Sequence, residues 1–284
     1  MRVVGPDGEI TMPFSDIGSL VLVGAGKMGG AMLHGWLKKG MNPKSVAIVD
    51  PHIGSEAFSM LIEYSITHYK DAADIGTSAD VVVLAVKPQQ MGEALPALRR
   101  VVGPTTLVVS IAAGTTLANL SAALGDGPII RVMPNTPAQV GQGMSVAVGN
   151  GAVTEAHRRA VSGLLNAVGK SAWIRDEALI DAVTGLSGSG PAYVFLLVEA
   201  MAAAGEKAGL APDLAMLLAR QTVVGAGALL GGVPTDAATL RKNVTSPGGT
   251  TAAALAVLMG EHGWQPLVDE AVAAAARRSH ELAG

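Results

Sequence analysis

The sequence predicts an α/β protein, with a doubly wound parallel sheet in the first part of the chain and an all-α region in the rest. Short apolar runs rich in β-branched residues alternate with helical patterns up to about residue 174. The runs are nearly continuous rather than alternating, which is typical of parallel strands covered by helices on both faces. From about Arg175 the runs stop, and Ala- and Leu-rich helical patterns follow. We therefore predict two domains, residues 1–174 and 175–284, with residues 1–18 as a leader.

The predicted elements follow one another in a regular order. Strands are predicted at residues 20–23, 46–49, 81–86, 107–111, 129–133 and 145–148. Helices are predicted at residues 30–39, 91–100, 117–123 and 154–168, and they separate most of the strands. Strands joined through helices form right-handed crossovers that cover both faces of the sheet. In the C-terminal part, Gly and Pro break the helices at residues 188–191, 209–212, 231–234 and 247–249.

A glycine-rich turn follows the first strand and opens the first helix, which is the context required of the G-x-G-x-x-G dinucleotide fingerprint. The second strand ends in Asp50, about 20 residues further on, where a carboxylate holds the adenosine ribose. The first part of the chain therefore predicts a Rossmann-like, dinucleotide-binding domain. The predicted cofactor-binding residues of this region are Gly24, Ala25, Gly26, Lys27, Met28, Gly29 and Asp50.

Two further segments place small residues and a proline before a helix. In the first, Ser246 is predicted as N-cap and Pro247 as the first helical residue, so that Gly248 and Gly249 leave backbone N–H groups bare. Such a helix start binds a small anion, for example a carboxylate. The alternative is a helix cap with a flexible first turn. The second segment, residues 186–193, is equally compatible with an interdomain turn.

Composition excludes several classes of function. The net charge is −3 without a basic tract, so we expect no nucleic acid and no anionic membrane as partner. The chain contains no cysteine, and its six histidines are scattered, so no metal site is predicted. No apolar run approaches the ~18 residues of a membrane span. Because residues 1–16 lack the apolar core of a signal peptide, we expect a soluble, cytoplasmic protein.

The C-terminal helices predict self-association. Charged residues make up only 15% of the chain, against a typical ~25%. Residues 192–201 and 215–230 offer few charges to face water, and a helix that is apolar on all sides is normally buried. We therefore predict a symmetric homodimer built through these helices. The alternative is an Ala-rich bundle with unusually small spacing between its helices.

Several blocks of the sequence resemble the pyrroline-5-carboxylate reductase family. They run in family order from about residue 19 to the C-terminus, and the two longest are the specific ones. The blocks lie at residues 24–29, 85–88, 112–114, 131–137, 179–193 and 243–251. The resemblance implies that the chain reduces a cyclic imine to proline with NADPH or NADH. It also implies an intertwined dimer that assembles further into a decamer.

The resemblance also implies roles for individual residues. Backbone N–H groups of Gly248, Gly249 and Thr250 would hold the substrate carboxylate, and Thr251 would hydrogen-bond the ring nitrogen as the catalytic residue. The remaining substrate-binding residues would be Asn243, Ser187 and Gly188. The remaining cofactor-binding residues would be Val86, Lys87, Pro88, Ala112, Ala113, Met133, Pro134 and Asn135. Without the resemblance, Lys87 is a polar residue that ends a strand.

Two alternatives of other classes remain open at the level of sequence. A β-hydroxyacid dehydrogenase needs a proton donor for the developing alkoxide, and those enzymes carry a lysine early in the first long helix of the second domain. Residues 191–204 contain no lysine, and Lys207 lies downstream. A protonated imine is already electrophilic, so Thr251 suffices and an imine reductase is favoured. A nucleotide-sensing module would explain residues 24–29 but not a second anion site at residues 248–249.

Two electrostatic details complete the predictions. Asp50 would repel a 2′-phosphate, and residues 51–56 contain no arginine that could offset this repulsion, so the residues alone favour NADH. Many members of the family use NADPH, so we expect both cofactors to work, with NADH favoured. The second detail is a cluster of Asp176, Glu177 and Asp181 at a predicted helix start, where acidic residues favour the helix dipole. The alternative for Glu177 is a position at the border of the substrate site.

Overall fold

A computed structural model describes residues 3–4, 10–11, 14 and 17–283. The chain forms two compact units: the first comprises Met1–Gly188 with Ala276–Gly284, and the second comprises Ser189–Ala275. The predicted boundary near residue 174 lies where the strands end, whereas the compact units divide after Gly188, so the domain assignment stays a prediction. Within the predicted leader, β1 (Val3–Val4) pairs antiparallel with β2 (Ile10–Thr11), and the rest lies largely outside the described residues.

The first unit is built on an eight-stranded sheet with the order β10-β9-β8-β7-β6-β3-β4-β5. Its strands are β3 (Leu20–Val23), β4 (Val46–Val49), β5 (Thr67–Tyr69), β6 (Val81–Leu84), β7 (Leu107–Ser110), β8 (Ile129–Met133), β9 (Gly143–Gly149) and β10 (Gly169–Trp173). Along this order from β8 to β5, each strand is parallel to the next one. The predicted doubly wound arrangement is confirmed for this part of the sheet.

One edge of the sheet departs from the parallel arrangement that is typical of continuous apolar strands. Strand β9 runs antiparallel to β8, with Arg131 opposite Val148, and β10 is parallel to β9. Residues 134–142 are all that connects β8 to β9. A parallel crossover needs a dozen or more residues, usually with a helix, so the short connection returns the chain in the opposite direction.

Helices cover both faces of the sheet and enclose its core. They are α1 (Lys27–Lys38), α2 (Ser55–Tyr64), α3 (Met91–Leu98), α4 (Leu117–Leu124), α5 (Glu155–Asn166) and the short α6 (Ile180–Val183). The fully buried Trp36 of α1 packs in one core cluster with Leu22, and its indole Nε1 donates to the carbonyl of Leu164 at 2.9 Å. The other cluster contains Val82 and Leu98. Burial on both faces explains why the strands are continuously apolar.

A π-helical segment, Thr184–Gly188, continues directly from α6. Ser189, whose backbone stays in the right-handed helical region, links this segment to the next helix, which begins at Gly190 with Pro191 in its first turn. The sequence predicted a turn before this helix but not the π-helix. Such wide turns are rare and frequently lie at functional sites.

The second unit is all helical. It contains α7 (Gly190–Lys207), α8 (Pro212–Gly232), α9 (Ala237–Asn243), α10 (Thr250–Leu258) and the first part of α11 (Trp264–Ala283). The helices break near the predicted Gly and Pro positions, and one further break, between α10 and α11, was not predicted. Helices α7 and α8 pack closely at Gly205, where an added Cβ would lie only 3.2 Å from the Cβ of Ala215. Small residues at the contact allow this approach.

Large apolar side chains of the second unit are exposed in a single chain. Leu196, Leu217 and Val257 are 63%, 63% and 76% exposed, whereas the buried hydrophobic residues among those described in this unit are Ala202, Ala215 and Ala219. By length and composition, Glu177–Lys207 and Pro212–Gly232 also satisfy the criteria for a membrane span. This is weak evidence for a membrane, because helices buried in a protein interface meet the same criteria. Exposed apolar faces of this extent indicate an interaction surface.

Candidate active site

The glycine turn joins β3 to α1 in a geometry that only glycine permits at two positions. Gly24 has a φ of +89°, and its N–H donates to the carbonyl of Val49 at 2.8 Å. A Cβ on Gly29 would collide with the carbonyl oxygen of Gly24. The turn is therefore tight at Gly24 and closely packed against α1 at Gly29, as the sequence predicted.

The middle glycine leaves an open approach to the start of α1. Gly26 is the N-cap residue, without a side-chain hydrogen bond, and a Cβ at this position would meet nothing within 4 Å. The first turn carries no acidic side chain. An uncovered helix N-terminus attracts a phosphate group through its free N–H groups and the helix dipole. The turn therefore fits the pyrophosphate of a dinucleotide.

Asp50 follows β4 directly and is hydrogen-bonded to the glycine turn. Its Oδ2 accepts from the N–H of Ala25 at 2.8 Å, and its Oδ1 accepts from the N–H of His52 at 2.8 Å. Each carboxylate oxygen can accept a second hydrogen bond. The half-buried carboxylate thus joins the strand end to the turn and keeps acceptor capacity for a ribose hydroxyl.

The remaining predicted cofactor residues lie at the ends of neighbouring strands. Because β6, β7, β8 and β3 are parallel, the residues that follow them meet at one edge of the sheet. These residues are Val86, Lys87 and Pro88 after β6, Ala112 and Ala113 after β7, and Met133, Pro134 and Asn135 at the end of β8. Lys87 is exposed and precedes a short 3₁₀ turn. Their contacts with a cofactor stay predictions.

Asn135 makes contacts that the sequence did not predict. Its Oδ1 accepts from the N–H of Met144 at 2.8 Å, and its Nδ2 lies 3.2 Å from the carbonyl oxygen and 3.4 Å from the Oγ of Ser187. Next to it, Gly188 packs against the methyl group of Met133 so closely that a Cβ would collide with it. The structure thus brings four predicted site residues, Met133, Asn135, Ser187 and Gly188, together at the end of β8.

The interpretation of Glu177 as a capping residue is wrong. Asp176 is the cap, since its Oδ1 accepts from the N–H of Ala178 at 2.9 Å. Glu177 instead forms an ion pair with the buried Arg131, with 2.7 Å between Nη1 and Oε1. The sequence signal that was available is an arginine inside an otherwise apolar strand, which requires a carboxylate partner.

Asp181 also has a different role from the predicted one. Its Oδ1 accepts from the Oγ of Ser279 at 2.6 Å, and its Oδ2 lies 3.2 Å from Nδ1 of His280. These bonds hold the end of α11 to α6 within the first unit. In the described part of the chain, no group of three or more His, Cys, Asp or Glu side chains is arranged to hold a metal ion.

The start of α10 differs by a few residues from the prediction. The N–H of Gly249 donates to the carbonyl of Ser246 at 3.0 Å, and Gly248 has a φ of +69°. Residues 246–249 therefore form a β-turn. The sequence explains it, since Pro-Gly at the two central positions favours a turn with a positive φ at the glycine. Helix α10 begins at Thr250, with Gly249 as its N-cap. Ser246 is not the N-cap, and Pro247 is not the first helical residue.

The change of register alters which backbone groups are free. The N–H of Gly249 closes the turn, so it is not available to a ligand as predicted. Thr250 and Thr251 stand in the first turn of α10, where N–H groups lack partners within the helix. Thr251 is half-buried, and Asn243, the last residue of α9, is exposed. An uncapped helix start without acidic residues remains suited to a carboxylate.

The features of the first unit define a class of protein. An open glycine turn, a carboxylate at the next strand end and further residues at the same sheet edge are typical of dinucleotide-dependent oxidoreductases. A relative named pyrroline-5-carboxylate reductase from Pseudomonas aeruginosa is 43% identical over 266 residues, which covers 93% of this chain and 96% of the relative. The chain belongs to the pyrroline-5-carboxylate reductase family.

Family models and solved structures agree with this membership. The model described as pyrroline-5-carboxylate reductase dimerisation matches residues 177–282, and the model described as NADP oxidoreductase coenzyme F420-dependent matches residues 19–114. A pyrroline-5-carboxylate reductase from Coxiella burnetii has a TM-score of 0.88 at 33% identity, covering 94% of this chain and 99% of that one. The structure of Plasmodium falciparum pyrroline carboxylate reductase with NADP bound gives a TM-score of 0.79 at 29% identity, covering 94% and 98%.

Proposed function

We propose that this chain is a pyrroline-5-carboxylate reductase, which reduces 1-pyrroline-5-carboxylate to L-proline with NADH or NADPH in the last step of proline biosynthesis. The observation that carries the proposal is likeness over nearly the whole chain to relatives of that name, together with the open glycine turn at Gly26. A hydride is added to the imine carbon, C2 of the pyrroline ring, and a proton to its nitrogen, which gives the saturated ring of proline.

The chain supplies binding and orientation, whereas the reduced nicotinamide dinucleotide supplies the hydride when bound. The open start of α1 at Gly26 would hold its pyrophosphate, and Asp50 would hold its adenosine ribose. Residues after β6, β7 and β8 would line the path from the adenosine to the nicotinamide. These assignments rest on the shared sheet edge and on the fit of the turn.

On the substrate side, the first turn of α10 would hold the carboxylate. Thr250 offers an N–H in that turn, and Gly248 leaves the backbone beside it uncovered. The half-buried Thr251 would hydrogen-bond the ring nitrogen through its hydroxyl. A protonated C=N bond needs orientation more than a strong acid, so a hydroxyl is sufficient. Asn243, Ser187 and Gly188 are proposed to border the substrate.

One feature of α7 argues against a β-hydroxyacid dehydrogenase. Lys207 is the last residue of this helix, and the sequence of its first turns contains no lysine. A reductase of carbonyl groups would need a donor for the developing alkoxide near the start of the helix. We therefore retain the imine as substrate in preference to a keto acid. The likeness to relatives named pyrroline-5-carboxylate reductase favours this imine over the substrate of another imine reductase.

The second unit serves self-association. The dimerisation model covers residues 177–282, where most of the exposed large apolar side chains lie. We propose a homodimer that assembles into a decamer and is located in the cytoplasm, without nucleic acid or membrane as partner. Burial of the apolar faces of α7 and α8 in the dimer would account for their low charge. Light scattering coupled to size-exclusion chromatography measures the mass of the assembly.

The assay of the purified protein tests the activity. Absorbance of NADH and NADPH is followed after addition of 1-pyrroline-5-carboxylate, and we expect oxidation of both cofactors with formation of proline. The control is a β-keto acid at the same concentration. Oxidation with the keto acid but not with the imine would contradict the proposal, as would binding of the cofactor without any turnover.

A further inference from the structure

Asn135 bridges two segments that are distant in sequence. Its Oδ1 accepts from the N–H of Met144 at the start of β9, and its Nδ2 donates to the carbonyl of Ser187 in the π-helical segment. Both ends of the amide are therefore used by the protein. One N–H of Nδ2 and one lone pair of Oδ1 remain beyond these two bonds.

The orientation of the amide follows from its neighbours. The N–H of Met144 is a donor, so the carboxamide oxygen must face it, at 2.8 Å. The amide nitrogen then faces the carbonyl oxygen of Ser187, which can only accept. A flipped amide would set its NH₂ group against the N–H of Met144 and its oxygen against the carbonyl oxygen of Ser187. The hydrogen-bond network therefore determines which atom is nitrogen and which is oxygen.

The bridge acts on an unusual stretch of backbone. Thr184–Gly188 is π-helical, and its neighbour Ser189 separates it from α7. Gly188 is packed against Met133, so the segment touches the end of β8 at two adjacent places. An isolated π turn is rare, and it persists where surrounding contacts hold it. The Asn135 bond and the Met133 contact are such supports.

We propose that Asn135 is a positioning residue for the reduction: its amide holds the backbone of Ser187 in place. The inference rests on the proposed function, in which Ser187 and Gly188 border the substrate. Loss of the bond would displace this border while leaving the glycine turn and Asp50 in place. Turnover should then fall more than cofactor affinity.

The isosteric variant Asn135→Asp isolates the bond to Ser187. A carboxylate still accepts from the N–H of Met144, but it sets an oxygen against the carbonyl of Ser187. Asn150 provides a matched control at the opposite end of β8. Its Oδ1 accepts from the N–H of Ile129 at 3.2 Å, and its Nδ2 donates to the carbonyl of Gly127 at 2.8 Å. Asn150→Asp therefore makes the same chemical change in the same kind of bridge.

The kinetic comparison has a defined expectation. We expect Asn135→Asp to lower kcat by about 10-fold or more, since small displacements of site groups cost rates of this order. The KM for the cofactor should change by less than about 3-fold, and Asn150→Asp should keep kcat within about 2-fold of the native value. A raised cofactor KM with unchanged kcat would overturn the proposal, and so would equal losses of kcat in both variants.

Hydrogen exchange tests the same bond independently of activity. Amides of residues 184–190 should exchange faster in Asn135→Asp than in the native protein, and Asn150→Asp should leave them unchanged. This measurement decides on the bridge even if the native protein shows no reductase activity, so the two proposals fail separately. If Asn135→Asp does not fold, Asn135→Ala and Asn150→Ala replace the pair, and unchanged exchange at residues 184–190 contradicts the proposal.

Discussion

Arg131 and Glu177 form an ion pair in the interior of the first unit, 2.7 Å apart, with side chains that are 6% and 28% exposed. The same Oε1 of Glu177 accepts from the N–H of Leu117, the first residue of α4, at 2.9 Å. One carboxylate thus joins the strand β8, the start of α4 and the residues that lead into α6. The pair stands directly before the predicted nicotinamide residues on β8.

Replacing Glu177 with Ala should lower the free energy of unfolding by about 3 kcal/mol, because it leaves the guanidinium of Arg131 buried without its carboxylate. Urea unfolding at a fixed protein concentration measures the change. The matched control is Glu281→Ala, whose partner is Arg278 in a pair with side chains 66% and 59% exposed. An exposed pair contributes at most about 1 kcal/mol. Equal losses at the two sites would contradict the argument from burial.

The glycine turn offers a pair of substitutions with opposite expectations. Gly26→Ala adds a Cβ into open space, so the thermal midpoint should be nearly unchanged while the KM for the cofactor rises by about 10-fold or more. Gly29→Ala sets a Cβ against the carbonyl oxygen of Gly24. It should lower the free energy of unfolding by about 1–3 kcal/mol and the thermal midpoint accordingly. Thermal unfolding and initial rates measure both. Loss of stability in Gly26→Ala would show that the turn has no space for a phosphate.

The role of Thr251 depends on its hydroxyl. Thr251→Val, which keeps the shape of the side chain, should lower kcat/KM by ~10²-fold or less, and Thr251→Ser should retain most of the activity. The dissociation constant of NADH, measured by fluorescence, should be the same in both variants. Full turnover in Thr251→Val would mean that water supplies the proton to the ring nitrogen.

Asp50 should decide the choice between the two cofactors. The native enzyme should use both, with a higher kcat/KM for NADH, because a carboxylate repels a 2′-phosphate. Asp50→Ser should reduce the difference in kcat/KM between NADH and NADPH. It should also weaken the binding of both cofactors, since the carboxylate that accepts from the N–H of Ala25 is lost. Rates at matched pH give the ratio. A native enzyme strongly selective for NADPH would show that the hydrogen bonds from Ala25 and His52 turn the carboxylate of Asp50 away from the ribose.

Asp80 should make the stability of the first unit depend on acid pH. The N–H of Ser19, and secondly its hydroxyl, donate to the carboxylate and hold the pKa of Asp80 below its ordinary value of 3.8. A lowered pKa contributes stability above the unfolded-state value, and the contribution is lost as the pH falls through the folded-state value. Asp80→Asn keeps an acceptor oxygen but does not titrate.

Thermal midpoints of the native chain and of Asp80→Asn between about pH 5 and pH 3 test this dependence. The midpoint of the native chain should fall more steeply in that range, and Ser19→Ala should lie between the two. Parallel curves for all three proteins would show that the carboxylate of Asp80 does not contribute.

Much of the sheet was predictable because its central strands are buried on both faces. The predicted strands at residues 20–23, 46–49 and 129–133 coincide with β3, β4 and β8. Strands β5 and β10 were not predicted, since Thr67–Tyr69 has only three residues and Gly169–Trp173 lacks β-branched side chains. Edge strands are covered less, so they need less of the apolar pattern by which strands are recognised.

The candidate site was predictable where a single segment carries it. The glycine turn and the strand ends are local features, and the structure places them as expected. The pairs Arg131–Glu177 and Asn135–Ser187 join residues 46 and 52 positions apart, and no local pattern announces such a contact. At the start of α10, the N-cap was misplaced because Ser-Pro begins both a helix and a turn, and the Gly248 that follows favours the turn.

The division of the chain has a consequence for its biosynthesis. The first compact unit is assembled from Met1–Gly188 and from residues that the ribosome adds only after Ser189–Ala275. The sheet emerges first, but the carboxylate of Asp181 must wait for Ser279, and the backbone at Gly114 must wait for Leu282. At translation rates of roughly 5–20 residues per second, this delay is on the order of ten seconds. During that time the nascent first unit lacks the contacts that the end of the chain makes with Asp181 and Gly114.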